Sequence, residues 1–289
     1  MSVSLTEALR WASVYLQEAG IAQHRLEAEL LLAHLLQVER LFFYTHRDSL
    51  LKKKEWARYR SWIYRRAAQE PFAYIVGEKE FYGYRFCVNK AVLIPRPETE
   101  HLVEVVINWV EENCGKEEEL HLLEHGTGSG ALAITLALLL PRSRVWATEL
   151  SPKALRVARS NAAIHKVQQR IKFIKSNFWE NLPSGQLFQV IVSNPPYIPS
   201  AEIKNLPPDV RQEPLLALDG GQDGLDAYRT LLEGLPRYLA PGGLFAVECG
   251  YQQRPRLEKL FRRTGIFCHL EVHKDYAGHE RILCGRRSV

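Results

Sequence analysis

From residue 120 to the C-terminus, short apolar runs alternate with stretches of helical periodicity, and this alternation restricts the fold more than any other feature of the chain. Runs at 120–124, 144–149, 171–175, 189–193 and 244–248 are five to six residues long, too short for buried helices. Apolar runs separated by helical segments read as parallel strands joined by crossover helices. Residues 98–289 therefore predict a doubly wound, Rossmann-like α/β sheet. Such sheets bind ligands beyond the carboxyl ends of their strands, so the chemistry is to be sought in the residues that follow each run.

The first run leads into Glu124-His125-Gly126-Thr127-Gly128-Ser129-Gly130, and a helix begins near Ala131. Alternate glycines let a backbone turn sharply and approach a ligand where any Cβ is expected to collide. Alone, the same loop is also what an ordinary strand-to-helix turn looks like. Its Gly-x-Gly-x-Gly spacing differs from the dinucleotide fingerprint, and no Lys-Ser/Thr pair of a P-loop follows. Glu149 closes the second run nineteen residues after Gly130, where a carboxylate can accept from both ribose hydroxyls of an adenosine. An adenosine held without a pyrophosphate points to S-adenosyl-L-methionine. The expected cofactor contacts are Glu124, Gly126, Thr127, Gly128, Ser129, Gly130 and Glu149, with Glu124 serving the ligand's ammonium group or its water shell.

The run at 189–193 is followed at once by Asn194-Pro195-Pro196-Tyr197. Two prolines fix φ and remove two N–H donors, leaving their carbonyls to accept. Asn194 adds a side-chain carbonyl. The NH2 of a glutamine or an adenine has a delocalised lone pair, like a peptide nitrogen, and is a poor nucleophile. Two acceptors gripping its N–H bonds raise electron density on nitrogen and aim it, while Tyr197 can lie flat on the planar group. A Pro-Pro turn after a strand is common; its place downstream of the glycine loop is what makes it specific. Asn194, Pro195 and Tyr197 are expected to be catalytic, with Pro196 completing the acceptor-binding set. Transfer would be direct and in line, resting on proximity, orientation and preorganised carbonyls. The nitrogen becomes acidic as it gains the methyl, so no histidine and no metal is assigned a role.

Residues 1–75 predict helices only. Ser4 and Glu7 have capping-box spacing, and Leu5, Leu9, Ala12 and Leu16 recur at helical intervals up to Gly20. A run at about 24–38 places Leu26, Leu30, Ala33 and Leu36 together. Another at about 53–69 does so with Trp56, Tyr59, Ile63 and Ala67 and ends at Pro71. The basic residues Lys52, Lys53, Lys54, Arg58, Arg60, Arg65 and Arg66 read as a solvated helix face. Residues 76–97 turn aromatic and β-branched around Gly83 and predict a β-hairpin linker. A helix at about 98–112 and a charged linker at 111–117 are expected next. The net charge of +5 permits an anionic partner without requiring nucleic acid. No apolar run is long enough to span a membrane, and the first residues lack the basic and apolar regions of an export signal. Five scattered cysteines without a Cys-x-x-Cys pair argue against a disulfide framework or a zinc site and fit a reducing cytosol.

The chain resembles the glutamine methyltransferases of peptide chain release factors (the HemK/PrmC type) over nearly its whole length. The resemblance runs through Gly77-Glu78-Lys79-Glu80-Phe81-Tyr82-Gly83, Leu93-Ile94-Pro95-Arg96-Pro97-Glu98-Thr99-Glu100, the glycine loop and Asn194-Pro195-Pro196-Tyr197. It continues in Glu213-Pro214 and Gly220-Gly221-Gln222-Asp223-Gly224-Leu225. The Asn-Pro-Pro-Tyr box is shared with DNA adenine methyltransferases; the segments at 95–100 and 220–225 narrow the match. The resemblance implies a substrate-docking helical domain at 1–75, a hairpin linker at 76–97 and an S-adenosylmethionine-dependent methyltransferase domain at 98–289. The implied acceptor is the glutamine side-chain nitrogen (N5) of the Gly-Gly-Gln loop of release factors, with no stable nucleic-acid complex and no membrane. By position, it places Gly126, Thr127, Gly128, Ser129, Gly130, Glu149, Asn177, Phe178 and Asn194 against the cofactor, and residues 194–197 around the glutamine.

Three positions depart from the usual pattern: His125 where an aliphatic residue is common, Asn177 where Asp is common, and Gln212 where an aromatic often precedes Glu-Pro. Asn177 matters most, since the usual carboxylate accepts from the adenine amine and an amide oxygen does so more weakly. His125 is expected to pack at the strand end. Relatives acting on ribosomal protein L3 share the acceptor box. A nucleic-acid amino (adenine N6) methyltransferase and a non-catalytic S-adenosylmethionine-binding scaffold are the other readings open to the sequence.

Overall fold

The structure is a computed structural model describing residues 3–115 and 119–289, so Lys116 and Glu117 of the expected charged linker lie outside the described residues. Its contacts divide into two units, Met1–Glu78 with Pro207–Gln212, and Lys79–Leu206 with Glu213–Val289.

In the first unit, Val3–Ser4 (β1) pairs antiparallel with Leu50–Leu51 (β2) around the helices α1 (Leu5–Glu18), α2 (His24–Leu36), α3 (Phe42–Thr45), α4 (Lys53–Ala67) and α5 (Phe72–Val76). The expected capping box opens α1: the Glu7 N–H donates to Ser4 Oγ (3.3 Å), and the Ser4 N–H donates to Glu7 Oε2 (2.9 Å). The phase of α2 differs from expectation. Ala28, Leu31, Leu32 and Ala33 are buried and Leu30 is exposed. Three consecutive leucines satisfy two helical phases, and packing against Tyr59 and Ile63 of α4 selects one. Nor is the basic stretch uniformly solvated. Arg66 is buried, paired with Glu27 and 3.6 Å from Asp209, while Arg65 bonds Glu70 at 2.7 and 2.8 Å. A buried guanidinium needs such partners to offset its lost hydration. Lys53, Lys54, Arg58 and Arg60 stay on the surface.

The second unit begins at Lys79, one residue into a hairpin of β3 (Glu78–Phe81) and β4 (Tyr84–Cys87) that is shorter than expected. Phe81 and Phe86 are fully buried with Leu102, Val103 and Val106, so the hairpin packs into this unit's core. A turn of 3-10 helix at Pro97–Thr99 leads into α6 (Glu100–Asn113). The sheet strands are β5 (Leu120–His125), β6 (Ser143–Glu149), β7 (Ile171–Lys175), β8 (Phe188–Ser193), β9 (Leu239–Glu248), β10 (Phe267–Lys274) and β11 (Glu280–Arg287). Between them run α7 (Ala131–Leu139), α8 (Pro152–Ile164), α9 (Asp226–Tyr238) and α10 (Arg254–Thr264).

Among the described residues the strand order is β10-β11-β9-β8-β5-β6-β7; β5 to β9 are parallel and β11 is antiparallel to its neighbours. The two antiparallel strands escaped the sequence reading for a physical reason. β10 is a half-solvated edge strand carrying His269, Glu271 and His273, and β11 holds only a brief apolar run at Ile282-Leu283-Cys284. Residues of α6 and α7 cover one face of the sheet, and those of α9 and α10 the other. The strand order reverses between β5 and β8, where open α/β sheets form their ligand crevice. There His125 stands beside Ser193 on one side and Thr148 on the other, so the loops after β5, β6 and β8 emerge together. No helix among the described residues is long and apolar enough to cross a membrane.

Candidate active site

At this point a cavity of about 320 Å³ opens, walled by Gly126, Gly128, Glu149, Asn177, Phe178, Asn194, Pro195 and Pro196. It lies within the range of small-molecule sites. Of the residues nominated from sequence, Glu124, Thr127, Ser129, Gly130 and Tyr197 do not line it.

Those residues hold the wall from behind. Buried Glu124 accepts at Oε2 from the Thr127 hydroxyl (2.5 Å) and the Ala133 N–H (3.1 Å), tying the loop to the start of α7. Burial pushes its carboxyl up to about 7 against the pull of those hydrogen bonds. The Ser129 carbonyl accepts from Asn161 Nδ2 (2.8 Å), and the same amide bonds the Cys87 backbone, fastening β4 to the loop. At Gly126 and Gly128 a Cβ would meet no described protein atom within 4 Å, and φ of 72° and 55° favours glycine there. At Gly130 a Cβ would lie 2.9 Å from Ile134 Cδ1 and 3.2 Å from Ala158 Cβ, so this glycine serves the packing of α7 on α8.

Glu149 faces the cavity and also stitches its rim. Oε2 accepts from the Gly128 N–H (3.0 Å) and Oε1 from the Ser151 N–H (2.8 Å). Each carboxylate oxygen keeps a second lone pair. The Asn177 NH2 donates to Glu180 Oε1 (3.0 Å), which leaves its carbonyl oxygen as the amide's acceptor. Phe178 sits in the left-handed region (φ 46°), held by the Ser176 hydroxyl donating to its carbonyl (2.8 Å).

His125 is fully buried, with Nδ1 2.7 Å from the Thr148 hydroxyl oxygen and its ring edge-on to Trp179. Its Nε2 has no partner among the described residues. Burial lowers its pKa to about 3, so the ring is neutral at physiological pH and packs as expected.

At the tetrapeptide, Asn194 Nδ2 donates to Thr99 Oγ1 (2.9 Å), directing the amide oxygen away from Thr99. The Thr99 hydroxyl donates to Glu248 Oε2 (2.5 Å), and the Tyr197 hydroxyl donates to Glu248 Oε1 (3.3 Å). Burial raises the Glu248 carboxyl above its ordinary range, opposed by the Thr99 bond, the charge of Arg281 and the Tyr197 bond. The backbone of the tetrapeptide is fixed as well. Gln253 Nε2 donates to the Tyr197 carbonyl (2.8 Å), and a Cβ on Gly220 would lie 2.8 Å from the Pro196 oxygen. With the Pro196 carbonyl packed against Gly220, the carbonyl of Pro195 is the tetrapeptide's second candidate acceptor. Glu213 accepts from the Ile94 N–H (2.9 Å) and pairs with Arg96, joining the chain just after the cavity-lining residues 90–93 to Pro214, which also lines it. The sequence reading assigned no role to Thr99, Glu213 or Glu248. Glu248 carried the same signal as Glu149, an acid closing an apolar strand.

Residues 7–77 match the family described as the PrmC N-terminal domain, and residues 104–206 match the methyltransferase small domain. The chain is 42% identical over 285 residues to the release factor glutamine methyltransferase of Moorella thermoacetica, covering 99% of each. It belongs to the release factor glutamine methyltransferase family. A second member, from Geobacter sulfurreducens, is 40% identical over 98% of this chain and 96% of its own. Among solved structures, the hMettl16 catalytic domain bound to an RNA hairpin superposes with a TM-score of 0.58 at 17% identity, over 88% of this chain and 90% of that one. At that identity the likeness is one of fold, and it fits a methyltransferase sheet.

Proposed function

We propose that this enzyme transfers the methyl group of S-adenosyl-L-methionine to the side-chain nitrogen (N5) of the glutamine in the Gly-Gly-Gln loop of peptide chain release factors. The observation that carries the reading is the turn of the Asn194 amide. Its NH2 is bound to Thr99, so the face left for an acceptor is a carbonyl oxygen, which suits an NH2 group. The relatives' names supply glutamine as the bearer of that group.

The cavity residues fit the cofactor. Glu149 keeps lone pairs for two ribose hydroxyls, the Asn177 oxygen suits an adenine amine, and Gly126 and Gly128 leave room for close approach. Glu124, Thr127, Ser129 and Gly130 serve it indirectly by shaping the loop. When bound, the cofactor supplies a methyl group on a positively charged sulfur. Asn194 Oδ1 and the Pro195 carbonyl accept the two N–H bonds of the glutamine, and Tyr197 packs beside it. They act by orientation and by dipoles fixed before the reaction. The N–C bond forms as the S–C bond breaks, and the nitrogen, made acidic by the methyl, gives one N–H proton to water, with His125 neutral and taking no part.

Docking of the folded substrate is assigned to residues 1–75, through Lys53, Lys54, Arg58 and Arg60 on α4. Arg58→Glu with Arg60→Glu is expected to raise KM for the release factor and leave kcat in place; an unchanged KM removes this face from docking. No stable nucleic-acid complex is expected. The deciding experiment is peptide-level mass spectrometry of a release factor incubated with enzyme and labelled cofactor. One methyl on the Gly-Gly-Gln glutamine is the expected result, with no ready second addition because the product has lost one N–H donor. Label on adenine in DNA or RNA, or on ribosomal protein L3, with none on the release factor overturns the reading.

A further inference from the structure

We propose that Glu248, acting through Thr99, decides which end of the Asn194 amide faces the methyl acceptor, so that both are positioning residues for the transfer. The inference rests on Asn194 as the acceptor's partner.

An Asn side chain keeps nearly the same shape when its amide turns over, but the exchange swaps an acceptor for a donor. Turned the wrong way, Asn194 would set its own NH2 against the NH2 of the substrate. Packing alone discriminates poorly between the two states. The choice falls to the hydroxyl of Thr99, which has one proton to give and lone pairs to accept with.

Glu248 fixes the direction of that proton. The Thr99 hydroxyl donates to Oε2 at 2.5 Å and the Tyr197 hydroxyl donates to Oε1 at 3.3 Å, so Glu248 serves both hydroxyls as an acceptor. The lone pairs of Thr99 are then what Asn194 meets at 2.9 Å, and only the NH2 end of the amide satisfies them. Thr99 and Glu248 are both buried, so the polarity of this relay rests on the side chains themselves. The other oxygen of Glu248 takes the Tyr197 hydroxyl, so one carboxylate steadies both ends of the acceptor tetrapeptide.

Glu248→Gln tests this with little change of shape. The new amide can donate to Thr99, reversing the relay and turning Asn194 over. With cofactor and release factor saturating, kcat is expected to fall about a hundredfold, while cofactor Kd by calorimetry and KM for the release factor stay within about threefold. Thr99→Val, which keeps the volume and removes the hydroxyl, is expected to do the same, and Thr99→Ser to restore kcat to within about threefold of wild type. Thermal melts identify folded variants, and if Glu248→Gln does not fold, the Val and Ser pair decides. A folded Glu248→Gln or Thr99→Val enzyme with wild-type kcat overturns the proposal, as does a Ser variant no better than Val. The side-chain 15N resonance of Asn194 provides a readout independent of substrate. It is expected to shift in Glu248→Gln and Thr99→Val, and an unmoved resonance overturns the relay even if the enzyme's acceptor is not a release factor. Failure of wild-type enzyme to label the release factor, with the resonance shifted as expected, instead counts against the substrate reading alone.

Discussion

The two sides of the cavity are built differently. On the side proposed for the cofactor several groups have a partner close along the chain: Glu149 has Ser151 two residues on, Phe178 has Ser176 two residues back and Asn177 has Glu180 three residues on, while Gly128 reaches Glu149 across 21 residues. On the acceptor side the partners are distant. Asn194 reaches Thr99 across 95 residues, Thr99 reaches Glu248 across 149, and Glu213 reaches Ile94 across 119. The first side is set in part by local loop geometry, with Asn161 tying the glycine loop to β4 across 32 and 74 residues. The second is assembled only when the whole sheet is in place, and its geometry is therefore sensitive to more of the sequence.

The largest effect that can break this contrast is expected at Asn194. Asn194→Ala should lower single-turnover methylation about a thousandfold, the scale for losing one preorganised polar contact. Cofactor affinity should change far less. Equal losses in turnover and affinity would mean that the two sides are not separable.

His125 lies at the seam between them and is expected to show next in stability. Its folded pKa of about 3 lies below its unfolded value, so the stability it permits at neutral pH is lost as pH falls through the unfolded value towards 3. His125→Leu should remove that loss, a gain over wild type reaching about 2 kcal/mol by pH 5 in urea titrations. Glu124 runs the other way. Its folded pKa is raised to about 7, so its contribution is full at low pH and lost as pH rises through 7. A gap between wild type and His125→Leu that stays constant with pH would show that His125 is not buried neutral.

On the cofactor side, Glu149→Ala should weaken calorimetric cofactor binding by about 2 kcal/mol, as expected for lost hydrogen bonds to a charged group. Unchanged affinity removes Glu149 from the site. The smallest effect is expected at Asn177. An Asp there gains a charged acceptor but faces Glu180 Oε1 at the 3.0 Å now spanned by a hydrogen bond, so Asn177→Asp alone should change affinity by less than about 1 kcal/mol. Adding Glu180→Gln should turn that into a gain; if it does not, position 177 is not local in its control.

The same contrast explains how much could be read from the sequence. Strand-to-helix alternation, the glycine loop, the capping box at Ser4 and the tetrapeptide after β8 are legible because each is a pattern within a short window. The acid at 149 is legible because it follows the glycine loop at a fixed interval. Thr99 and Glu248 each lie in a segment that is itself legible, yet nothing within those segments couples them to Asn194. The phase of α2 and the burial of Arg66 failed to show for a related reason: both depend on a partner, Tyr59 for one and Glu27 with Asp209 for the other, that periodicity does not name.

Residues Pro207–Gln212 group with the first unit, although the chain before and after them belongs to the second. Asp209 lies 3.6 Å from the Arg66 guanidinium, and Gln212 Nε2 donates to the Ala68 carbonyl at 2.9 Å. In recombination terms the helical unit is therefore not a cassette ending at Glu78. A chimera that takes residues 1–78 from another family member inherits a foreign partner for the native 207–212. The heritable block is the pair of segments, and exchanging both is what keeps Arg66 with a matched acid.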